Sequence, residues 1–174
     1  MTASSPLLPF GKRHSHVDNA AQVDRGISMR LSGSCLCGEV GFRLEGWVSP
    51  IQACHARRCR KATGALFSPE VAASSANFEW LGNLDRISSF EAPIISNPPA
   101  YRRNFCNNCG SPLPVEIESA GMVILCAGTL DDSSNLHVFR HAFVDQKTEC
   151  SDISDGVPQF QGQPPAPDVS VLHE

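Results

Sequence analysis

Two short cysteine motifs about 70 residues apart set the strongest limit on how this chain can fold. One is Cys35-Leu36-Cys37-Gly38, the other Cys106-Asn107-Asn108-Cys109-Gly110. Zinc favours four soft or borderline donors in a tetrahedron, and Cys-x-x-Cys-Gly has the spacing of a zinc knuckle. A Cys-x-Cys at a strand end sets both thiolates on one side, because side chains alternate along a strand. A glycine after each pair permits a tight turn whose N–H groups point at the sulfurs and offset part of their charge. Cys35, Cys37, Cys106 and Cys109 are therefore expected to form one closed structural zinc site. Pinning so long a loop compensates for a modest core.

A disulfide framework is the competing use for eight cysteines. Three features oppose it. The N-terminus carries no apolar run of the roughly 7–15 residues that a secretory signal needs. Cys35 and Cys37 are too close to pair easily with each other. The knuckle spacing itself suits a metal. The expectation is a reduced compartment, cytoplasm or nucleus, and not secretion. No stretch approaches the ~18 apolar residues of a membrane span. A formal net charge of −4 gives no electrostatic reason to expect nucleic acid.

A length of 174 residues suits one domain, and 13 Gly with 13 Pro suit short elements joined by turns. Residues 1–30 show no hydrophobic period and are expected to form a disordered extension. From Leu31 the pattern changes: Val40, Phe42 and Leu44 alternate with Gly41, Arg43 and Glu45. That period of two marks a half-buried strand. Further short strands are expected at Ile51–Cys54, around a break at Pro69, and at 77–81, 87–90, 101–105, 113–117, 122–127 and 137–140. A single helical turn over 58–63 should stop at Gly64. The Pro-rich residues 161–174 are expected to be a disordered tail. The fold class is thus mainly β, with residues 31–160 as the folded unit.

Between the outer motifs lies Cys54-His55-Ala56-Arg57-Arg58-Cys59-Arg60-Lys61. Cys-x₄-Cys alone is a weak signal, and two buried cysteines account for it equally well. The neighbouring cations Arg57, Arg58, Arg60 and Lys61 would favour the thiolate form, or they would simply face water as a charged turn. His55 would serve as ligand or acid–base group, or be packed without a chemical role.

Taken in order, four segments resemble the glutathione-dependent formaldehyde-activating enzyme family, which also includes centromere protein V. They are Gly33–Phe42, Cys54-His55 through Cys59-Arg60-Lys61-Ala62-Thr63-Gly64-Ala65, Phe105–Leu113 and Gly128-Thr129-Leu130-Asp131-Asp132. The resemblance implies a β-tent zinc-binding fold, carbon–sulfur lyase chemistry, and a structural zinc at Cys35, Cys37, Cys106 and Cys109. It implies glutathione and a small aldehyde such as formaldehyde as partners. Cys54, Cys59 and His55 would be the catalytic residues, and Arg57, Arg60 and Lys61 would bind the carboxylates of glutathione.

The family holds its catalytic zinc on Cys-His-Cys-x-x-Cys. The first and third of those cysteines match Cys54 and Cys59, but the middle position is Ala56, which leaves the second zinc site incomplete. Cys126 and Cys150 are the thiols left to replace it. A second departure lies at Glu149-Cys150, where the family commonly has Pro-Trp. The alternative function is a non-catalytic zinc scaffold that acts through protein partners.

Overall fold

A computed structural model describes residues 26–92, 101–133 and 135–165. The chain is mainly β, as the alternating patterns predict. Strand β1 (Ile27–Ser34) and strand β2 (Val40–Val48) form an antiparallel hairpin from Ile27↔Val48 to Ser34↔Gly41. The strand starts at Ile27, within the stretch expected to be disordered. Met29 packs on the core and Leu31 is buried in it, so the period of two already operates there. Residues 1–25 lie outside the described residues.

Strand β3 (Ile51–Cys54) leads into helix α1 (Arg57–Thr63), which ends at Gly64 in the left-handed region, as expected. Strand β4 (Ser68–Ser74) follows. Pro69 lies inside β4 and does not break it. The ladder from β4 to strand β10 (Met122–Cys126) begins only at Glu70↔Cys126, so Pro69 has no hydrogen bond to lose on that side. Strand β5 (Glu79–Gly82) pairs with β2, and strand β9 (Val115–Ile117) with β10. Strand β11 (Val138–Ala142) runs parallel to β3. A second, three-stranded antiparallel sheet contains β6 (Ile87–Glu91), β7 (Arg102–Cys106) and β8 (Pro112–Leu113).

The main core covers one face of the large sheet, with Phe42, Leu44, Val48, Val71, Ala73, Val123 and Leu125 at its centre. Burying its Val, Leu and Phe side chains stabilises by about 1.5–3 kcal/mol each, before conformational entropy is subtracted. Gly33 is required here: a Cβ would run into the Phe42 ring and the Thr129 carbonyl. Alternation turns Ser68, Glu70 and Ala72 to the opposite face of β4 from Val71 and Ala73, and that face carries the chemistry described below.

After β11 the chain wraps back along it. The His141 N–H donates to Pro158 O, the Phe160 N–H to His141 O, and the Phe143 N–H to Gly162 O. Pro164 is buried and Pro165 O accepts from Arg140 Nη1. The first residues of the expected tail are therefore fastened to the domain. Residues 166–174 lie outside the described residues.

Candidate functional site

Both outer cysteine motifs are hairpin turns. Residues 35–39 connect β1 to β2, closed by the Cys35 N–H donating to Val40 O at 2.9 Å. Residues 107–111 connect β7 to β8, closed by the Cys106 N–H donating to Ser111 O at 2.9 Å. Each turn ends on a glycine at φ +75°, Gly38 and Gly110. The glycine N–H returns to the first cysteine's carbonyl, at 2.9 Å in one turn and 2.8 Å in the other. The turn therefore gathers each pair of sulfurs. The strand alternation expected for Cys35 and Cys37 does not, because both lie beyond the end of β1.

The two hairpins belong to different sheets, and their tips meet. The sulfurs of Cys35 and Cys37 are 3.4 Å apart, and those of Cys37 and Cys106 are 3.7 Å apart. All four donor sulfurs, including Cys109, lie within 4.8 Å of one another. A tetrahedron with Zn–S bonds of ~2.3 Å places its sulfurs about 3.8 Å apart, so the set fits such an ion. None of the four forms a disulfide.

Second-layer contacts match the charge of a thiolate cluster. The Val40 N–H donates to Cys35 Sγ at 3.4 Å, and this and neighbouring contacts outweigh burial to hold the Cys35 thiol below its usual range. Hydrogen bonds from Ser111 pull Cys109 down to about 5, whereas burial pushes Cys106 up to about 11. Glu39 ties the tips together: it pairs with Arg86 at 2.7 Å and accepts from Asn108 at 3.3 Å.

The middle motif forms a second group at the end of β3. Cys54 and Cys59 are both buried, with their sulfurs 3.2 Å apart. Ala56 is buried with them at the start of α1 and offers only a methyl group there. Tyr101 and Phe143 pack over the group. A third donor comes from an unexpected direction: a carboxylate oxygen of Glu70 lies within 4.8 Å of both sulfurs.

Register explains how Glu70 reaches the group. Gln52 opposes Glu70 across β3 and β4, Cys54 opposes Ser68, and Arg140 opposes Gln52 across β11 and β3. Arg140, Gln52 and Glu70 thus form one row on one face. Arg140 Nε donates to Gln52 Oε1 at 2.9 Å, so the Gln52 amide turns its Nε2 toward Glu70 Oε2, 3.2 Å away. Burial raises the Glu70 carboxyl above its ordinary value. The contact with Cys54, then burial and the nearby Glu70, push the Cys59 thiol far up.

That last shift runs against the expectation that the basic cluster would favour the thiolate. Among the described residues, none of the cluster's cations hydrogen-bonds to either sulfur. Arg60 Nε donates to His55 O at 3.1 Å and its Nη2 to Gln146 O at 2.9 Å. Arg58 lies 5.0 Å over the Tyr101 ring. Arg57 and Lys61 are exposed, and among the described residues neither forms an ion pair.

His55 also has other partners. Its Nε2 lies 2.8 Å from His141 Nδ1, and His141 Nε2 lies 2.8 Å from Asp155 Oδ2. Burial, followed by the neighbouring His141, lowers the His55 pKa. The His141 contact lowers that of Asp155. Phe67 flanks both imidazoles.

Cys126 opposes Glu70 on β10 but lies outside the donor group, with its sulfur 3.7 Å from Ser68 Oγ. Cys150 is exposed beside Thr148. A cleft of about 630 Å³ opens beside the first group and is lined by neighbours of the second. Its wall carries Cys35 of the first group, Thr63, Pro69 and Cys126 from around the second, and Thr129 and Asp131.

The model of the glutathione-dependent formaldehyde-activating enzyme family matches residues 30–146, well over half of the chain. The chain belongs to that family. Proteins from Aspergillus flavus and Aspergillus oryzae that are named after it are each 30% identical over 109 residues, 60% of this chain and 53% of theirs. The chain therefore spans about half the length of the curated relatives it matches. Among the described residues, no helix is long and apolar enough to cross a membrane.

The sequence alone did not reveal Glu70. A signal was present, since an acid sits on an apolar strand, Val71-Ala72-Ala73, eleven residues after Cys59. Its meaning depends on the pairing of β3 with β4, which is not visible in the local pattern.

Proposed function

We propose that this chain is a zinc-dependent carbon–sulfur lyase-type enzyme that joins the thiol of glutathione to formaldehyde or a similarly small aldehyde. The observation that carries this reading is the convergence of Cys54, Cys59 and Glu70 beside a cleft in a member of this family. Cys35, Cys37, Cys106 and Cys109 form the structural site in this reading, and the second group is the catalytic one. A cysteine thiol has a free pKa of ~8.5 and is mostly protonated at neutral pH. Cys54, Cys59 and Glu70 would hold the zinc, which would supply positive charge that favours the thiolate.

The remaining steps belong to the chain and its substrates. The glutathione thiol releases its proton to solvent, its sulfur forms a C–S bond to the aldehyde carbon, the carbonyl π pair moves to oxygen, and that oxygen takes a proton back from solvent to give the hydroxymethyl adduct. The reverse step breaks the same bond. Exposed Arg57 and Lys61 at α1 are available to the tripeptide's carboxylates. Arg60 positions the loop by holding the His55 and Gln146 carbonyls. Asp131 on the cleft wall suits the tripeptide's ammonium group.

The test has two parts. Glutathione should raise the melting temperature of the zinc-loaded chain. The loaded chain should also accelerate formation of the hydroxymethyl adduct, followed by NMR, over a chelator-treated control. A zinc-loaded chain that shows neither effect would be a scaffold and not an enzyme.

A further inference from the structure

We propose that Glu70 is the third protein ligand of the second metal site, and that it replaces the thiolate that position 56 does not supply. This rests on the reading that Cys54 and Cys59 hold a metal. Two thiolates alone are a poor divalent-cation site, since catalytic zinc usually has three protein ligands and one open position. Ala56 presents only a methyl group. Glu70 restores the count from a neighbouring strand.

Geometry favours glutamate for this role. Cys54 opposes Ser68, so residue 70 is its diagonal neighbour across the β3–β4 pair. Diagonal neighbours lie about 7–8 Å apart at Cα, within reach of a long side chain and beyond that of a short one. A carboxylate also keeps the charge of the thiolate it replaces, so the ligand set remains trianionic.

The supporting residues fit a ligand. Metal-bound carboxylates are commonly fixed by outer hydrogen bonds. Gln52 Nε2 holds Oε2 of Glu70 at 3.2 Å, and Gln52 is itself oriented by Arg140 at 2.9 Å. That leaves the carboxylate's other oxygen without this contact. The resulting site combines sulfur and oxygen donors and is harder than a three-thiolate site. The second metal would exchange more readily with oxygen-preferring ions than the first.

The full-length chain, loaded with zinc and then with cobalt(II), tests this. The wild type should bind two zinc ions, and Glu70→Gln should bind the second about 10²–10³-fold more weakly. The double variant Ala56→Cys with Glu70→Gln should recover the second ion. Its thiolate-to-cobalt charge-transfer absorption should exceed that of wild type by one thiolate. Undiminished second-site affinity in Glu70→Gln overturns the proposal. So does a double variant that still lacks the second ion, whether or not the single variant folds. A wild type with only one zinc instead sinks the reading underneath, that Cys54 and Cys59 hold a metal at all.

Discussion

The two cysteine groups gather candidate metal donors in opposite ways. The first takes four sulfurs from the tips of two hairpins in two different sheets, joining residues 35 and 109. Its glycines, its N–H donors and the Glu39–Arg86 pair are all local to those tips. The second draws on one short region, residues 54 to 70, and uses sheet register in place of turns. Its third donor, Glu70, is oriented by Gln52 and Arg140, which lie along the same row of strands. A site that staples sheets together is bound to the fold. A site assembled beside one sheet, from two strands and α1, can change its donors while the fold persists.

The largest effect should come from breaking the staple. Cys106→Ser removes one of four thiolates, a loss of about 3–4 kcal/mol. It should lower Tm by roughly 10 °C in a thermal melt. It should also cost the first zinc, measured as a fall in metal content. An unchanged Tm would mean that the two hairpins hold together without metal.

Cys59→Ala should separate the two groups. The far-ultraviolet circular dichroism should match wild type and the first zinc should stay. Glutathione-dependent turnover should fall by at least about 10²-fold, as expected when a metal-activated nucleophile is lost. Equal damage to fold and turnover would erase the distinction between staple and surface site.

Gln52→Ala is a subtler break. It frees the Glu70 carboxylate without removing it, so the second zinc should weaken by about 10–100-fold while the first is unaffected. Competitive chelator titration reads the two affinities separately.

The smallest effect concerns His55. Burial holds its pKa below the free value, so as pH falls the unfolded chain takes up the proton first. The stability tied to this residue is complete above the free pKa of ~6.5 and declines as pH falls toward the lowered folded value. The Tm difference between wild type and His55→Gln should therefore shrink from pH 8 to pH 5.5. A pH-independent difference would show that His55 contributes packing alone.

Much of the fold was legible because alternation is a local property. Val40, Phe42 and Leu44 announce β2, and Gly64 ends α1 where the sequence places its stop. The first cysteine group was legible for a related reason: each half is a contiguous motif that carries its own turn. Glu70 was not, because its role arises from the pairing of β3 with β4. The basic cluster misled in the same way. Charge near a thiol in sequence says little about where the head groups go, and Arg58 and Arg60 turn to Tyr101 and to backbone carbonyls. The early start of β1 and the fastened Gly162–Pro165 stretch depend on partners far along the chain.

The wrap of residues 155–165 over β11 separates two meanings of the word domain. The unit shared with the family ends at residue 146. The unit that holds itself together runs on: Asp155 grips His141, Pro158 and Phe160 bond its backbone, and Pro165 accepts from the arginine that orients Gln52. A fragment cut at the shared boundary would keep every candidate metal donor and lose part of the scaffolding that aims Glu70. Homology therefore marks what was inherited, and the hydrogen-bond network marks how much chain must be expressed for the inherited site to work.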